Sequence, residues 1–294
     1  MPKQCTANEA TRDAVRGIFK TMPVIPIDSS TDPRVRPYLS LKDRELAREG
    51  DLFIAEGEQV VKRLLASDFP VHSVLLSERR VEEIAPIVPP DVPVYALPDP
   101  VITQTLGFRF HSGVMAIGRR KPPRPLDAYL PRAGPALIMV CPELNSAENL
   151  GGMVRIASGF GVDLLLLGQR SVDPFWRQSV RVSMGNVFKL PIHTSDDLTR
   201  DLLRLRDDFN VDLIATVLED DATDLRAFKR PRRAAILFGS EAHGLSEEHV
   251  AISTQKITIP MKLGTDSLNV MVAAGVVMWG MDGGKKQWPT KEHE

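Results

Sequence analysis

The distribution of apolar residues predicts a small domain in the first part of the chain. Short apolar or alternating runs, LFIAEG, VHSVLLS, VPVYALP and GVMAIGRR, are separated by glycines and prolines, which is typical of strands. LKDRELAREG instead resembles a helix that ends at Gly50, and EQVVKRLLAS repeats its apolar residues at helical spacing. We therefore predict a small α/β domain over residues 34–120. A polar extension is predicted over residues 1–33, with a short helix near 7–20.

The second half has a different pattern, with six candidate strands, several of which are nearly continuous apolar runs. They are ALIMVCPEL, DLLLLG, FKLPIHT, DLIATVL, AAILFGS and KITIP. Such runs are typical of strands that helices cover on both faces, so a largely parallel sheet is predicted. Helices are predicted near residues 149–159, 176–184, 197–208, 246–251 and 267–280. This second domain is expected over residues 135–294, after an exposed linker at 121–134 that is rich in proline and arginine.

Composition narrows the class of protein. The 294 residues are 43% hydrophobic and 26% charged with a net charge of −1, so an anionic partner must meet local basic patches. The two cysteines, Cys5 and Cys141, form no CxxC and no metal-ligand spacing, which favours a reducing, cytoplasmic location and no metal. Residues 1–20 contain no signal peptide, and the apolar stretch near 270–279 is about half the ~20 residues that a bilayer requires. No membrane association is expected.

Three segments that follow predicted strands carry the candidate chemistry. They are ELNSAENLGGMVRIASGFGVD (143–163), LFGSEAHGLS (237–246) and IPMKLGTDSLNVMVAA (259–274). Open parallel sheets bind ligands at the carboxyl ends of their strands, and the glycines of these segments are predicted to let backbone amides approach a ligand. The motifs GxGxxG, GxxxxGK[ST], HExxH and GxSxG are absent, so dehydrogenases, P-loop nucleotidases, zinc hydrolases and α/β-hydrolases lose their usual support.

In this order, the three segments resemble the motifs of the SpoU-type RNA ribose 2′-O-methyltransferases, the TrmH family of the SPOUT superfamily. VRVSMGNVFKLPI (180–192) is similar to the segment found between the first two motifs. The resemblance implies a C-terminal, mostly parallel sheet with a trefoil knot, preceded by a small ribosomal-protein-like α/β domain that binds the RNA substrate. It also implies S-adenosylmethionine as cofactor and a homodimer formed through the knotted domain. Ribosomal RNA is favoured over transfer RNA because of the upstream domain.

Each candidate catalytic residue also has an ordinary structural interpretation. Ser267 would cap the last helix, and Asn269 would lie inside that helix, where asparagine has poor propensity. Arg155 would be a solvated helix arginine, Asn149 a helix cap and Glu241 a carboxylate at a helix start. The resemblance implies instead that all five are active-site groups. Because guanidinium stays protonated, Arg155 is expected to stabilise a developing alkoxide and a neighbouring phosphate rather than act as a base.

The predicted binding residues fall into two sets. The resemblance implies that the cofactor is held mainly by backbone and apolar groups of Thr216, Leu218, Gly239, Gly244, Ile259, Met261 and Leu268. Basic runs, although usually only solvated faces, are predicted to flank the site and track RNA phosphates. The residues predicted to bind RNA are Arg119, Arg120, Lys121, Lys229, Arg230, Arg232 and Arg233. Arg34, Arg36, Lys42 and Arg44 of the first domain would add to them.

Two alternatives stay open at this point. One is an RNA-binding protein that keeps the fold without catalysis, and the other is a dehydrogenase or another nucleotide-binding α/β enzyme.

Overall fold

The computed structural model describes residues 24–29, 31–39, 47, 51–101, 112–240, 243–263 and 267–281. They fall into two units, one within residues 1–121 and the other within residues 122–294, and each has its own sheet. The predicted helix near 7–20 and nearly all of LKDRELAREG lie outside the described residues. None of the helices in these ranges combines the length and the apolar character needed to cross a membrane.

The first unit is built on a five-stranded mixed sheet. Its strands are Val24–Pro26 (β1), Leu52–Glu56 (β2), Val71–Ser77 (β3), Val94–Leu97 (β4) and Val114–Arg119 (β5). Its described α-helices are Arg36–Leu39 (α1), Glu58–Leu65 (α2) and Val81–Ile84 (α3), with 3₁₀ helices at Pro33–Val35, Glu78–Arg80 and Ala85–Ile87. The strand order is β1-β4-β3-β5-β2, parallel from β1 to β3 and antiparallel from β3 to β2.

The start of this unit corrects one prediction. The extension over residues 1–33 is wrong at its end, because Val24–Pro26 pairs in parallel with β4 and Ile27 is buried. A strand of three residues is too short to show a period-2 pattern, so it was not predicted. The core beside it holds Tyr38, whose hydroxyl lies 2.7 Å from the Ser73 hydroxyl. Burial raises the pKa of Tyr38 well above its usual value.

The second unit contains the predicted parallel sheet. Its strands are Ala136–Cys141 (β6), Leu164–Leu167 (β7), Ile192–Thr194 (β8), Asp212–Thr216 (β9), Thr223–Asp224 (β10), Arg233–Leu237 (β11) and Gln255–Thr258 (β12). The order is β10-β12-β9-β11-β6-β7-β8, and every pairing is parallel. All six predicted strands are present, and only the two-residue β10 was not predicted.

Five described α-helices belong to this second unit. They are Ala147–Gly159 (α4), Arg177–Val182 (α5), Leu198–Asp207 (α6), Glu247–Ile252 (α7) and Val270–Met281 (α8), with 3₁₀ helices at Leu126–Ala128 and Asn186–Phe188. The predicted starts of α4 and α8 are wrong. Ser146 caps α4 by accepting a hydrogen bond from the backbone of Asn149, so this helix starts two residues early. Asn269 Oδ1 accepts from the Met271 backbone at 2.9 Å, so Asn269, rather than Ser267, caps α8.

Part of the predicted linker also belongs to this unit. Leu126 and Leu130 are 2% and 5% exposed and pack into the core below the parallel sheet. Prolines and arginines dominate residues 121–134, and this composition gave no signal that two leucines within it are buried. The expectation of an exposed linker is therefore wrong for this stretch.

Parallel pairing gives the second sheet two chemically distinct edges. Segments that follow β6, β9, β11 and β12 lie at its carboxyl edge, and segments that precede those strands lie at its amino edge. β6 lies between β7, which is next in the chain, and β11, which comes much later, so the connections after β6 and after β11 lead to opposite sides of the sheet. Such a switch point opens a crevice at the carboxyl ends of the strands. All three candidate motifs follow strands of this sheet and reach this carboxyl edge.

Candidate active site

A hydrogen bond between two side chains joins the first and third motifs. Asn269 Nδ2 donates to Asn149 Oδ1 at 3.2 Å, although the two residues are 120 positions apart. Asn149 lies in the first turn of α4 and Asn269 caps α8, so the bond links the starts of both helices. The structure thus brings two of the five predicted catalytic residues together at the carboxyl edge.

The paired glycines of the first motif allow this approach of the helices. A β-carbon at Gly152 would lie 1.8 Å from Met271 Sδ of α8, and one at Gly151 would lie 2.7 Å from Val182 Cβ of α5. These glycines therefore lie inside α4 as packing positions, and the prediction that they admit a ligand to the backbone is wrong. Phe160, next after α4, and Met278 of α8 line a common cavity, so the two helices run side by side in the same direction.

Arg155 projects from the part of α4 that its neighbours leave uncovered. Successive helical residues are about 100° apart, so Gly151 and Gly152 face different partners. Arg155 follows them by four and three residues and lies between those two directions. Glu148 and Gly159 share this strip with Arg155, and all three are exposed. Within the described part of the chain, the Arg155 guanidinium has no hydrogen-bond or ion-pair partner, so its donors can reach a ligand.

The second motif folds back on itself. Ser240 and Gly244 exchange two backbone hydrogen bonds of 3.0 Å, and Gly244 has a φ of +67°, which favours glycine. A β-carbon at Gly239 would lie 2.3 Å from the Gly244 carbonyl carbon, so glycine is required there for closure of the turn. Glu241 lies outside the described residues, and its catalytic role stays a prediction. Ser267 is exposed two positions before Asn269, at the mouth of α8.

The predicted cofactor residues lie at the same carboxyl edge. Thr216 donates its hydroxyl to the Leu237 carbonyl at 2.8 Å and so ties the end of β9 to the end of β11. Leu218 is 60% exposed and Leu268 is 38% exposed, while Ile259 and Met261 are half-buried. Apolar side chains held near solvent by a rigid edge suit a ligand with an aromatic ring and a hydrocarbon chain. The residues present therefore fit S-adenosylmethionine.

Ion pairs that were not predicted hold two of these loops. Lys256 Nζ contacts Glu219 at 2.6 Å and Asp221 at 2.5 Å, which fixes the loop after β9 to β12. The hydrogen bond from Lys256 lowers the pKa of the Asp221 carboxyl. Arg170, after β7, contacts Glu143, after β6, at 2.8 Å. The sequence signal for the Lys256 ion pairs was the acidic run at 219–221, in a loop that follows a strand.

The basic run of the second unit is not beside this site. Lys229, Arg230 and Arg232 precede β11, so they lie at the amino edge, about 16 Å away along five residues of strand. The prediction that this run flanks the site is wrong within one chain. Arg233 donates to three backbone carbonyls, those of Phe209, Gly134 and Pro131, at 2.8, 2.7 and 3.0 Å. Its guanidinium therefore anchors the start of β11.

The predicted RNA-binding residues of the first unit follow the end of β5. Arg119 is exposed and Arg120 is half-buried, with its backbone N–H donating to the Asp51 carbonyl at 2.7 Å. Lys121 pairs with Asp68, and its ammonium lies 4.4 Å from the centre of the Phe69 ring. The hydrogen bond from Lys121 lowers the pKa of the Asp68 carboxyl.

The basic residues predicted to add to RNA binding from the first domain differ in their surroundings. Arg34 Nε donates to Asp32 at 2.9 Å, which lowers the pKa of Asp32 to about 2, whereas Arg36 is exposed. Lys42 and Arg44 lie outside the described residues.

Comparison with known proteins agrees with this fold. The model of the SpoU rRNA methylase family matches residues 136–279. An uncharacterised tRNA/rRNA methyltransferase of Mycobacterium bovis is 34% identical over 256 residues, covering 84% of this chain and 88% of its own. A 23S rRNA (guanosine-2'-O-)-methyltransferase of Acinetobacter baylyi is 27% identical over 59% of this chain and 71% of its own.

A solved structure extends the similarity to nearly the whole chain. The AdoMet-bound rRNA methyltransferase from Sinorhizobium meliloti superposes with a TM-score of 0.78 at 25% identity, covering 90% of this chain and 99% of that one. The parallel sheet and its convergent loops therefore define a methyltransferase of the RNA-modifying kind. The chain belongs to the SpoU rRNA methylase family. The predicted resemblance is confirmed, and a dehydrogenase is left without support.

Proposed function

We propose that this protein is an S-adenosylmethionine-dependent RNA ribose 2′-O-methyltransferase. The observation that carries the proposal is the Asn149–Asn269 hydrogen bond, which holds the first and third motifs together at the start of α4, the helix that carries the exposed Arg155 six residues further on. The Acinetobacter baylyi relative, whose name specifies 2'-O methylation of guanosine, supports the ribose hydroxyl as the acceptor.

The cofactor supplies a methyl group on a sulfonium, so the chain has to align and activate the acceptor. Arg155 keeps its proton and stabilises the negative charge that develops on the ribose 2′-oxygen, whose own proton passes to solvent. Its second task is to hold a phosphate next to the target ribose. Asn149, Ser267 and Asn269 orient these groups at the start of α4 and α8, and Glu241 completes the set.

The cofactor residues are those of the carboxyl edge. The loops after β9, β11 and β12 supply backbone groups and apolar walls from Thr216, Leu218, Gly239, Gly244, Ile259, Met261 and Leu268. Their half-buried or exposed apolar side chains support this assignment. The loop from β12 to α8 is the segment expected to take part in the trefoil knot of the family.

The outer face of α8 supports a homodimer through this domain. Val272, Val276 and Trp279 recur at helical spacing and are 52%, 40% and 65% exposed, which forms an apolar stripe on one face. A second copy of the chain is the proposed partner for this stripe. Val276→Glu is expected to convert the dimer to a monomer in sedimentation velocity, and Val61→Ala, in the first unit's core, should not. A wild-type monomer would contradict the dimer.

The substrate is RNA, with ribosomal RNA favoured over transfer RNA, and the expected location is the cytoplasm. The exposed Lys229, Arg230 and Arg232, together with residues 119–121 of the first unit, are the proposed RNA contacts. Incubation of the protein with methyl-labelled S-adenosylmethionine and either RNA tests both the activity and the preference. We expect label in ribosomal RNA at a nucleotide whose 3′ phosphodiester resists alkaline hydrolysis, because that cleavage needs a free 2′-hydroxyl. The absence of label in any cellular RNA would refute the activity.

A further inference from the structure

A cavity lies at the amino edge, at the opposite end of the strands from the candidate active site. It has a volume of about 220 Å³ and lies where Ala136 starts β6, beside the ends of α4 and α8. We name it the amino-edge pocket, and its lining includes Pro135, Phe160, Asp163, Arg230, Met278 and Met281. Since a cavity of ~150 Å³ can hold a benzene ring, this pocket has room for one planar ring.

The lining suits an aromatic ligand. Phe160 offers a ring for stacking, and Met278 and Met281 add two polarisable thioethers, which make favourable contacts with aromatic groups. The Asp163 carboxylate also lines the pocket, but its Oδ2 accepts a hydrogen bond of 2.8 Å from the Leu137 backbone. The negative charge is therefore held against the start of β6.

A positively charged segment lies at one side of the pocket. Arg230 lines it, and Lys229 and Arg232 flank Arg230; all three are exposed and have no ion pair with any other described residue. The Arg230 guanidinium makes a long contact of 3.5 Å with the neighbouring Pro231 carbonyl. Arg226, in the same run, differs because Asp224 engages its guanidinium through hydrogen bonds of 3.0 Å.

We propose that the amino-edge pocket is a second RNA contact, which takes one unstacked base of the substrate while Lys229, Arg230 and Arg232 hold its flanking phosphates. Stacking platforms combined with cations are the usual means of binding single-stranded RNA. The inference rests on the proposed function for the identity of the substrate. It assigns the two edges separate tasks, because a contact about 16 Å from Leu237 along β11 cannot touch the reacting ribose.

The first test compares two arginines of one run. RNA binding of the full chain is measured against salt concentration for the wild type, Arg230→Ala and Arg226→Ala. Arg230→Ala should weaken binding about fivefold to tenfold and reduce the slope of log K against log salt by about 0.7, the value for one lost phosphate contact on a single strand. Arg226→Ala should bind like the wild type. Equal effects of the two changes, or none from Arg230→Ala, would overturn the proposal.

The second test addresses the base. Phe160→Leu keeps an apolar side chain but removes the ring, so RNA affinity should fall about fivefold while the salt slope stays unchanged. Thermal unfolding identifies any loss of folding, and unchanged RNA affinity of the folded variant would overturn the base contact. In methylation assays Arg230→Ala should raise KM for RNA and leave kcat intact. If the wild type methylates RNA and both variants match it, this inference fails alone. If the wild type transfers no methyl group but Arg230→Ala still weakens RNA binding, only the proposed function fails.

Discussion

The two edges of the parallel sheet differ in what they present to a ligand. The carboxyl edge offers neutral amides and exposed leucines on loops that are fixed by hydrogen bonds and ion pairs, and α4, which begins there, carries the exposed Arg155. The amino edge offers three exposed cations, one of which lines a pocket that contains an aromatic ring. Parallel pairing produces this separation, because it places the segments that precede the strands at one edge and the segments that follow them at the other. The carboxyl edge is therefore suited to chemistry, and the amino edge to holding a polyanion.

The largest effect should distinguish Arg155 from Arg230. Arg155→Ala is expected to lower kcat for methyl transfer about 100-fold to 1000-fold, as for the loss of one oxyanion donor. Its unfolding midpoint in urea should match the wild type, because the side chain is exposed and unpaired among described residues. Arg155→Lys should recover only part of the rate, since lysine keeps the charge but not the planar donor pair. A normal kcat in Arg155→Ala would contradict the catalytic role assigned to Arg155.

The next effect concerns the packing that brings the first and third motifs together. A β-carbon at Gly151 would meet the Ser179 carbonyl oxygen at 2.8 Å, whereas one at Gly152 would meet only the flexible side chain of Met271. Gly151→Ala should therefore lower the free energy of unfolding by about 1 to 3 kcal/mol. Gly152→Ala should cost less, because the thioether can move and alanine favours the helix by about 1 kcal/mol. Urea unfolding of both variants measures the difference, and the reverse order would contradict the packing described.

A smaller effect should separate the two roles of Asn269. Asn269→Ala removes both the cap of α8 and the bond to Asn149, so stability should fall by about 1 kcal/mol together with activity. Asn269→Ser keeps a capping oxygen but has no amide donor, so stability should be retained while the methylation rate falls. Chemical denaturation measures the stability of each variant, and initial rates on the same preparations measure methylation. Normal rates in Asn269→Ser would assign this residue to capping alone.

The smallest effect is expected at the loop after β9. Lys256→Ala removes the ion pairs with Glu219 and Asp221, which are exposed and hence weak, so affinity for S-adenosylmethionine should fall only about twofold. Calorimetric titration with the cofactor measures this change. Lys189→Ala, an exposed lysine away from that loop, serves as control. A tenfold loss would show that the loop is less rigid than its other contacts indicate.

Much of the sheet could be predicted because its strands are continuous apolar runs, such as the four leucines of β7. The predictions failed for features that depend on a few residues or on the direction in which a strand runs. The three residues of β1 and the buried Leu126 and Leu130 gave no periodic signal. The start of α8 was missed because a single asparagine oxygen decides it.

The candidate site shows a similar division. The order of three motifs identified the family, and their shared edge follows from strands that run in parallel. Which helix each glycine of the first motif would face could not be predicted, because it depends on α5 and α8, which lie far apart in sequence. Similarly, the position of Arg230 relative to the site depends on the direction of β11, which a linear charge pattern does not contain.

The most direct test of the central claim locates the transferred methyl group. Ribosomal RNA is incubated with the protein and deuterated-methyl S-adenosylmethionine, digested to nucleosides and analysed by mass spectrometry. We predict a deuterated methyl group on the ribose of one nucleoside, absent with Arg155→Ala and present with Arg226→Ala. A deuterated methyl group on a base, or an equal ribose signal with Arg155→Ala, would contradict the assignment of the carboxyl edge as a ribose 2′-O-methylation site.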